Sequence, residues 1–463
     1  MKELMQCVYK TISADSCTPV IVFKKLHGIA LLESAVLEGA SRYSFILLEA
    51  RSRLSLTKAG VMETVGGQNR LLDADPYKFL DIVAAKGEEI TVAELPFPLP
   101  ARGVGYLSYE FCRFCDTIKI AEKPASIEAP EACFLFGSAF IVFDHYRDDL
   151  HVVAIGADRT TLENKIAAFL AILQDNDYRA YAPDQTVYPA QADLHANKAV
   201  YLRGVAEIKK AIVRGDLIQG VLSQQLIVDS PLPPFEAYCR LRRENPSPYL
   251  FYFDFADFQL FGASPEIMVQ LSGDALTIKP IAGTRPRGKT PSEDAALEKE
   301  LLADEKERAE HLMLIDLARN DAGRVAVPGT VKVTRSFFIE RYAYVMHIVS
   351  EVRAQKRPEA GIAEIIRSVF PAGTVSGAPK IKAIELVAEQ EPVKRGAYAG
   401  LIGYFDVNGS FDSCITIRSV LHQGQKFIAQ SGAGIVYDSV PEKEYTETLN
   451  KARATIRALG VSL

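Results

Sequence analysis

The chain has 463 residues, 48% of them hydrophobic, and a formal net charge of −5. That length and apolar fraction suffice for a large core and more than one folding region, while the weakly acidic balance offers no basic field for nucleic acid. No apolar run approaches membrane-spanning length, Met1-Lys2-Glu3-Leu4 does not begin a signal peptide, and seven scattered cysteines argue against a disulfide framework, so a soluble protein of the reducing cytoplasm is expected.

In chain order, Val20–Phe23, Ser44–Leu48 and Ala139–Phe143 read as strands. Cys112-Arg113-Phe114-Cys115 reads as two ordinary thiols, since no second pair completes a zinc site. Thr160 to Gln174 has the period of an amphipathic helix. The polar, aperiodic stretch from Tyr178 to Asn197 marks a boundary, giving an N-terminal region 1–180 and a second region 195–463. A helix follows over Ala199 to Arg214, ended by Gly215. Strands are expected at Leu217–Leu226 and Gln259–Phe261, and helices near 295–320, 360–367, 380–389 and 442–458. Strands and helices do not alternate regularly, which disfavours a doubly wound parallel sheet. The expected class is α+β, with large, mostly antiparallel sheets and surrounding helices. No G-x-G-x-x-G or Walker loop offers a home for a nucleotide.

Two distant segments carry the chemistry. Glu307 and Glu310 lie three residues apart, as do Glu444 and Glu447. On a helix, each pair points from one face. Four carboxylates converging from two helices require a cation, and an all-oxygen donor set selects Mg²⁺ over zinc. Taken singly, each helix is also compatible with a solvated face on which Lys306 and Arg308 pair with the glutamates. Three loops rich in glycine and small residues, 280–288, 371–380 and 431–434, suit close backbone approach to an anion. Arg418 closes an apolar strand pattern and has the fork geometry for a carboxylate. The combination points to a pocket for a small polycarboxylate.

The motifs Pro-Ile-Ala-Gly-Thr-Arg-Pro-Arg (280–287), Asp-Glu-Lys-Glu-Arg-Ala-Glu-His (304–311), Leu-Ala-Arg-Asn-Asp (317–321), Pro-Ala-Gly-Thr-Val-Ser-Gly-Ala-Pro-Lys (371–380) and Gly-Ala-Gly-Ile-Val (432–436) resemble those of the chorismate-utilising enzymes. Within them they look like the large, synthase subunits of anthranilate synthase (component I). The resemblance is strong from about 199 to 463 and weaker before. It implies a sandwich of antiparallel sheets. It also implies a reaction in which chorismate loses its C4 hydroxyl, ammonia adds at C2 and pyruvate leaves. By the same resemblance, Glu310 and Glu447 match Mg²⁺ ligands, and Glu307 and Glu444 match carboxylates that reach the metal through water. Glu266 matches the general acid, which burial should keep protonated. His347 matches an active-site histidine near the leaving group. Gly283 and Thr284 match a substrate-binding turn that also serves pyruvate elimination. Tyr398, Arg418, Gly432, Ala433 and Gly434 match the substrate wall, and Lys451, one helical turn after Glu447, joins them.

Two positions sort the branches of this family. Gln219 stands where isochorismate and salicylate synthases resemble one another in carrying a lysine base that activates water, and a neutral amide cannot take that proton. Ala282 stands where 4-amino-4-deoxychorismate synthases usually carry a nucleophilic lysine. The pair points to direct amination at C2. The resemblance also implies a separate glutamine amidotransferase partner, since no Gly-x-Cys-x-Gly turn is present. It implies an L-tryptophan feedback site at Glu33, Ser34 and Arg42, walled by Pro248, Tyr249 and Leu250, with Tyr404 and Cys414 on further matching positions. The rival readings are an aminodeoxychorismate synthase component and a non-catalytic tryptophan-sensing homologue.

Overall fold

The computed structural model describes residues 5–34, 42–174, 186–342 and 344–462. The first part of the proposed boundary, Tyr178 to Gln185, therefore lies outside the described residues. Among the described residues every strand pairing is antiparallel, and the strands join into one hydrogen-bonded network. Successive residues of a strand face opposite sides of a sheet, and here both sides are buried. Phe45, Leu47, Phe140 and Val142 enter one apolar cluster, while Ile46, Leu48, Ile141 and Phe143 enter another. The first cluster is enclosed by strands of both sequence regions, including Phe134, Phe251, Phe405 and Ile415. This is the expected α+β, antiparallel architecture.

The two regions interleave. The strand Ala30–Glu33 lies between Tyr43–Thr57 and Tyr249–Asp254, with Glu33 opposite Leu250. The strand Val104–Leu107 lies between Ala132–Asp144 and Leu401–Phe405.

Most expected elements are present with small shifts: Arg159–Gln174, Lys198–Val213, Gln219–Asp229, Gln259–Ser264, Ile362–Val369, Lys380–Gln390 and Pro441–Ala458. Two expectations fail for local reasons. Val20–Phe23 lies in the helix Pro19–Lys25, because Pro19 is preset for a first turn and the Thr18 hydroxyl accepts from the Ile21 amide. Three β-branched residues in four had suggested a strand. The long helix near 295–320 is two helices, Pro291–Ala303 and Glu305–Gly323. Asp304 adopts an extended backbone and its carboxylate accepts from the amides of Lys306 and Glu307, which ends one helix and caps the next. That cap fixes where the helix bearing Glu307 and Glu310 begins.

Candidate active site

The strands Gln219–Asp229 and Lys426–Ile435 form one wall, with Gly432 opposite Ser223, Ala433 opposite Leu222 and Gly434 opposite Val221. The glycines are explained by what a side chain would strike. A Cβ on Gly434 would stand 2.5 Å from Nε2 of Gln219. A Cβ on Gly432 would stand 2.8 Å from the Leu222 carbonyl and 3.0 Å from the Tyr398 hydroxyl. Ala433 is fully buried between them. The room left at Gly434 lets the Gln219 amide reach across and donate to Oε1 of Glu310 at 3.0 Å.

Glu307 and Glu444 occupy the first turns of their helices, where helix dipoles favour negative charge, and Glu310 and Glu447 follow in the second turns. The two helix starts face each other closely enough for Lys306 of one to act on Glu444 of the other. Burial raises the Glu307 carboxyl, and the charge of Glu310 raises it further, against the pull of Arg285. Glu444 is likewise raised by burial and by Glu447, while the Ser439 hydroxyl opposes the shift. Each like-charged pair is a strain that a cation relieves. Among the described residues, however, no three acidic, thiol or imidazole side chains are drawn together tightly enough to hold a metal. Three of the carboxylates instead rest on protein donors. Gln219 serves Glu310, Arg285 serves Glu307 at 3.3 Å and Lys451 serves Glu447 at 2.7 Å. The donor chemistry, all carboxylate oxygen, fits a hard divalent cation.

Glu266 precedes the strand Ile267–Ser272 and is buried; burial pushes its carboxyl up to about 8. The Thr374 hydroxyl, the charge of Lys451 and the Ile281 backbone pull the other way. The Thr374 oxygen makes no well-formed hydrogen bond of its own, so it tempers the carboxyl without holding it ionised. A cavity of about 30 Å³ lies against Glu266 and is also lined by Lys279, Asp321 and Thr374.

His347 lies on the strand Val345–Gln355, opposite Thr284 of Ile281–Pro286. A register shift between Ala282 and Thr284 bulges Gly283 outward at φ +65°. The His347 Nδ1 is 3.0 Å from the Gly283 carbonyl and 3.0 Å from the Thr284 hydroxyl. A carbonyl only accepts, so Nδ1 carries the proton and Nε2 is left as an acceptor. Burial holds the ring at about 4, hence neutral at pH 7. Gly283 also borders Glu307, whose Oε2 would be 3.2 Å from a Cβ there. This bulge therefore joins the histidine to the carboxylate pair.

Arg418 takes a left-handed backbone conformation at φ +52°, and its guanidinium donates to the Lys451 carbonyl. Burial lowers its pKa, while Tyr398 and Glu447 oppose that. Lys451 Nζ donates to the Gly432 carbonyl at 3.1 Å and pairs with Glu447. Tyr398 is buried, with its hydroxyl pushed up to about 12. The expected residues thus fall into one neighbourhood linked by direct contacts. Sequence reasoning missed Tyr342, whose ring meets His347 edge-on at 5.5 Å, Thr374 beside Glu266 and Arg285 on Glu307. Arg285 lay within a quoted motif, but its carboxylate partners Glu300, Asp304 and Glu307 were not foreseeable from it.

The expected regulatory residues occupy a second region. The buried carboxylate of Glu33 is gripped by both arms of Arg242 at 2.9 Å and by the Tyr238 hydroxyl at 2.5 Å. It is therefore already neutralised. Ser34 is half-buried just past the end of that strand, and Pro248 is half-buried as well. Arg42 turns instead to Asp144, in a two-armed pair at 2.8 and 2.5 Å. Tyr249 donates to Asp412 at 2.9 Å. Asp412, Cys414 and Tyr404 all act on the buried Tyr249 hydroxyl, Tyr404 packs on Phe45 at 5.3 Å, and Leu250 and Cys414 are buried. Cys112 and Cys115 are buried with thiols raised by burial, as befits unreactive side chains.

A sequence profile described as chorismate binding enzyme matches residues 43–457. The chain is 44% identical to anthranilate synthase component 1 of Spirochaeta aurantia over 100% of its own length and 97% of that protein. The crystal structure of anthranilate synthase component I from Streptococcus pneumoniae TIGR4 superposes with a TM-score of 0.80 at 33% identity, covering 96% of this chain and 98% of that one. The menaquinone-specific isochorismate synthase of Escherichia coli shares the fold, with a TM-score of 0.73 at 18% identity over 98% of this chain and 94% of that one. Among the described residues, no helix is long and apolar enough to cross a membrane. With its motifs assembled in one place and its full length matched, the chain belongs to the chorismate binding enzymes.

Proposed function

We propose that the protein is the synthase component of an anthranilate synthase, converting chorismate and ammonia to anthranilate and pyruvate in tryptophan biosynthesis. The observation that carries this reading is Gln219. Its neutral amide lies against Gly434 in the wall, bonded to Glu310, so no base is aimed there to activate water. Ala282, beside the Gly283 bulge, offers no nucleophile either. The full-length likeness to proteins named anthranilate synthase component 1 supports the same branch.

Chorismate is held by its carboxylates against Arg418, Lys451 and the backbone at Gly432–Gly434. Glu266, protonated below about pH 8, gives its proton to the departing C4 hydroxyl while ammonia adds at C2 from the other face. Neutral His347, fixed by Gly283 and Thr284, presents Nε2 to the leaving-group region and to the proton shifts of pyruvate elimination. Glu310 and Glu447, with Glu307 and Glu444 behind them, would hold Mg²⁺, which would supply positive charge for the ring carboxylate. Glutamine-derived ammonia would come from a separate amidotransferase component, a reading supported by the wording component 1 in the relatives' names. A cytoplasmic setting suits the seven free cysteines. The direct test is purified protein with chorismate, Mg²⁺ and ammonium, followed by anthranilate fluorescence and product mass. Anthranilate and pyruvate, both lost on chelation, are expected; aminodeoxychorismate would overturn the branch assignment.

Gln219→Lys places an amine beside Glu310, and part of the product should then be the hydroxylated adduct; an unchanged anthranilate yield in product mass analysis would remove Gln219 from C2. Feedback inhibition by L-tryptophan at the slot between Glu33, Leu250, Tyr249, Tyr404 and Cys414 is the regulatory reading. Because Glu33 is satisfied by Arg242, the ligand's amine must find Ser34 and backbone carbonyls or displace that pair. Ser34→Ala should raise the tryptophan concentration for half-inhibition about fivefold, the worth of roughly one hydrogen bond, with uninhibited turnover unchanged. Equal inhibition of variant and parent would move the site elsewhere.

A further inference from the structure

The wall of the site conceals a buried ion pair. Arg395 and Glu391 have side chains only 1% and 7% exposed. Their contact is two-armed, with Nε to Oε2 and a terminal nitrogen to Oε1, both 2.7 Å. Burial lowers the guanidinium's pKa, but Glu391 more than restores it, so the charge is retained. Such a pair, desolvated on both sides, stabilises a fold poorly compared with apolar residues of similar size. Its geometry suggests what is gained instead. The remaining donors of Arg395 reach two carbonyls on separate elements, Val375 at 2.8 Å and Val221 at 2.6 Å. Its own backbone amide and that of Gly396 are fixed by the buried Glu110 carboxyl at 2.8 and 3.0 Å. The guanidinium lies over the Tyr109 ring, 4.3 Å from its centroid. Glu391 in turn takes the amide and hydroxyl of Ser223 at 2.8 and 2.7 Å.

Each tethered element carries a residue of the site. Val221 is two residues from Gln219, Val375 follows Thr374 beside Glu266, and Arg395 itself precedes Tyr398 by three. Arg395, itself on the third, bonds the other two directly. We propose that Arg395 is a positioning residue, whose planar fork sets the distances between the Gln219 strand, the Thr374 loop behind Glu266 and the Tyr398 loop. This inference rests on the site assignment above and adds a residue to it that no contact with substrate would reveal.

Arg395→Lys keeps the charge but cannot serve two carbonyls and a two-armed carboxylate at once. Expected is a drop in kcat of about 10²-fold, the scale of a misplacement near 1 Å. The alkaline limb of the kcat profile, set by Glu266, should also move to higher pH, because Thr374 recedes and its lowering effect is lost. The other groups acting on or lining that carboxyl are Lys451, Tyr342, Lys279 and Asp321; none bonds Arg395, so they remain common to parent and variant. Should Arg395→Lys not fold, Glu391→Gln, which keeps the shape and one acceptor arm, is read in the same way. A loss of activity that merely tracks the folded fraction, with the alkaline limb unmoved, overturns the proposal. So does full activity in either variant. A parent enzyme that yields another product from chorismate would count against the amination reading alone, since the limb is measurable on any product.

Discussion

Glu266→Gln lowers kcat for anthranilate formation by about 10²–10⁴-fold, the range for removing a general acid, while chorismate still binds. An amide of the same shape has no proton to give the C4 hydroxyl. Stopped-flow or steady-state fluorescence with ammonium as nitrogen donor measures it; a variant within a factor of a few of the parent would remove Glu266 from the chemistry. The same substitution changes stability in the opposite sense. The folded-state pKa of about 8 lies above the unfolded value, so the native chain holds this proton more tightly. The contribution is fully present below the unfolded pKa, near 4.3, and is lost as pH rises through about 8. Parent stability should therefore fall across that window, and Glu266→Gln, which never ionises, should lose less. Melting curves at pH 6 and pH 9 test this, the variant gaining on the parent at the higher pH.

Glu447→Ala should abolish Mg²⁺-dependent turnover and weaken Mg²⁺ binding by calorimetry at least tenfold, the usual size of a lost metal contact or more, with little change in melting temperature. The side chain is half exposed and paired with Lys451, itself part-exposed, and such pairs add little to stability. The variant also frees Lys451, which stays tied to the Gly432 carbonyl, so substrate affinity should fall less than turnover. Full activity with undiminished Mg²⁺ dependence would sink the metal assignment.

The reach of the sequence differs from element to element. The spacing of Glu307 with Glu310 and of Glu444 with Glu447 was readable because helical period alone brings each pair onto one face. What period could not supply was their resting partners. Gln219 is 91 residues from Glu310, and no local pattern announces that contact. Glu33 with Arg242, separated by 209 residues, shows the same limit, and there it changes the chemistry. A carboxylate expected to receive an amine already has a guanidinium. The pair Glu391 and Arg395, four apart at the end of a helix, looks like an ordinary solvated ion pair; only the packing of Tyr109, Ser223 and Glu110 around it gives it another meaning. Val20–Phe23 failed because β-branched content outweighed a Thr-Pro helix start in the reading. Asp304 was read as one more helical acid, although its neighbours left it free to cap.

The interleaving of the strands has a consequence for how the chain is made. Ala30–Glu33 leaves the ribosome early, but one of its two neighbours, Tyr249–Asp254, lies roughly 200 residues further on. At about 5–20 residues per second, that edge stays open for roughly 10–40 seconds of synthesis. Val104–Leu107 waits still longer in sequence for Leu401–Phe405. The nascent N-terminal region thus presents apolar, hydrogen-bond-hungry edges to the cell while the rest is being translated, making it a natural client for chaperones that shield incomplete sheets.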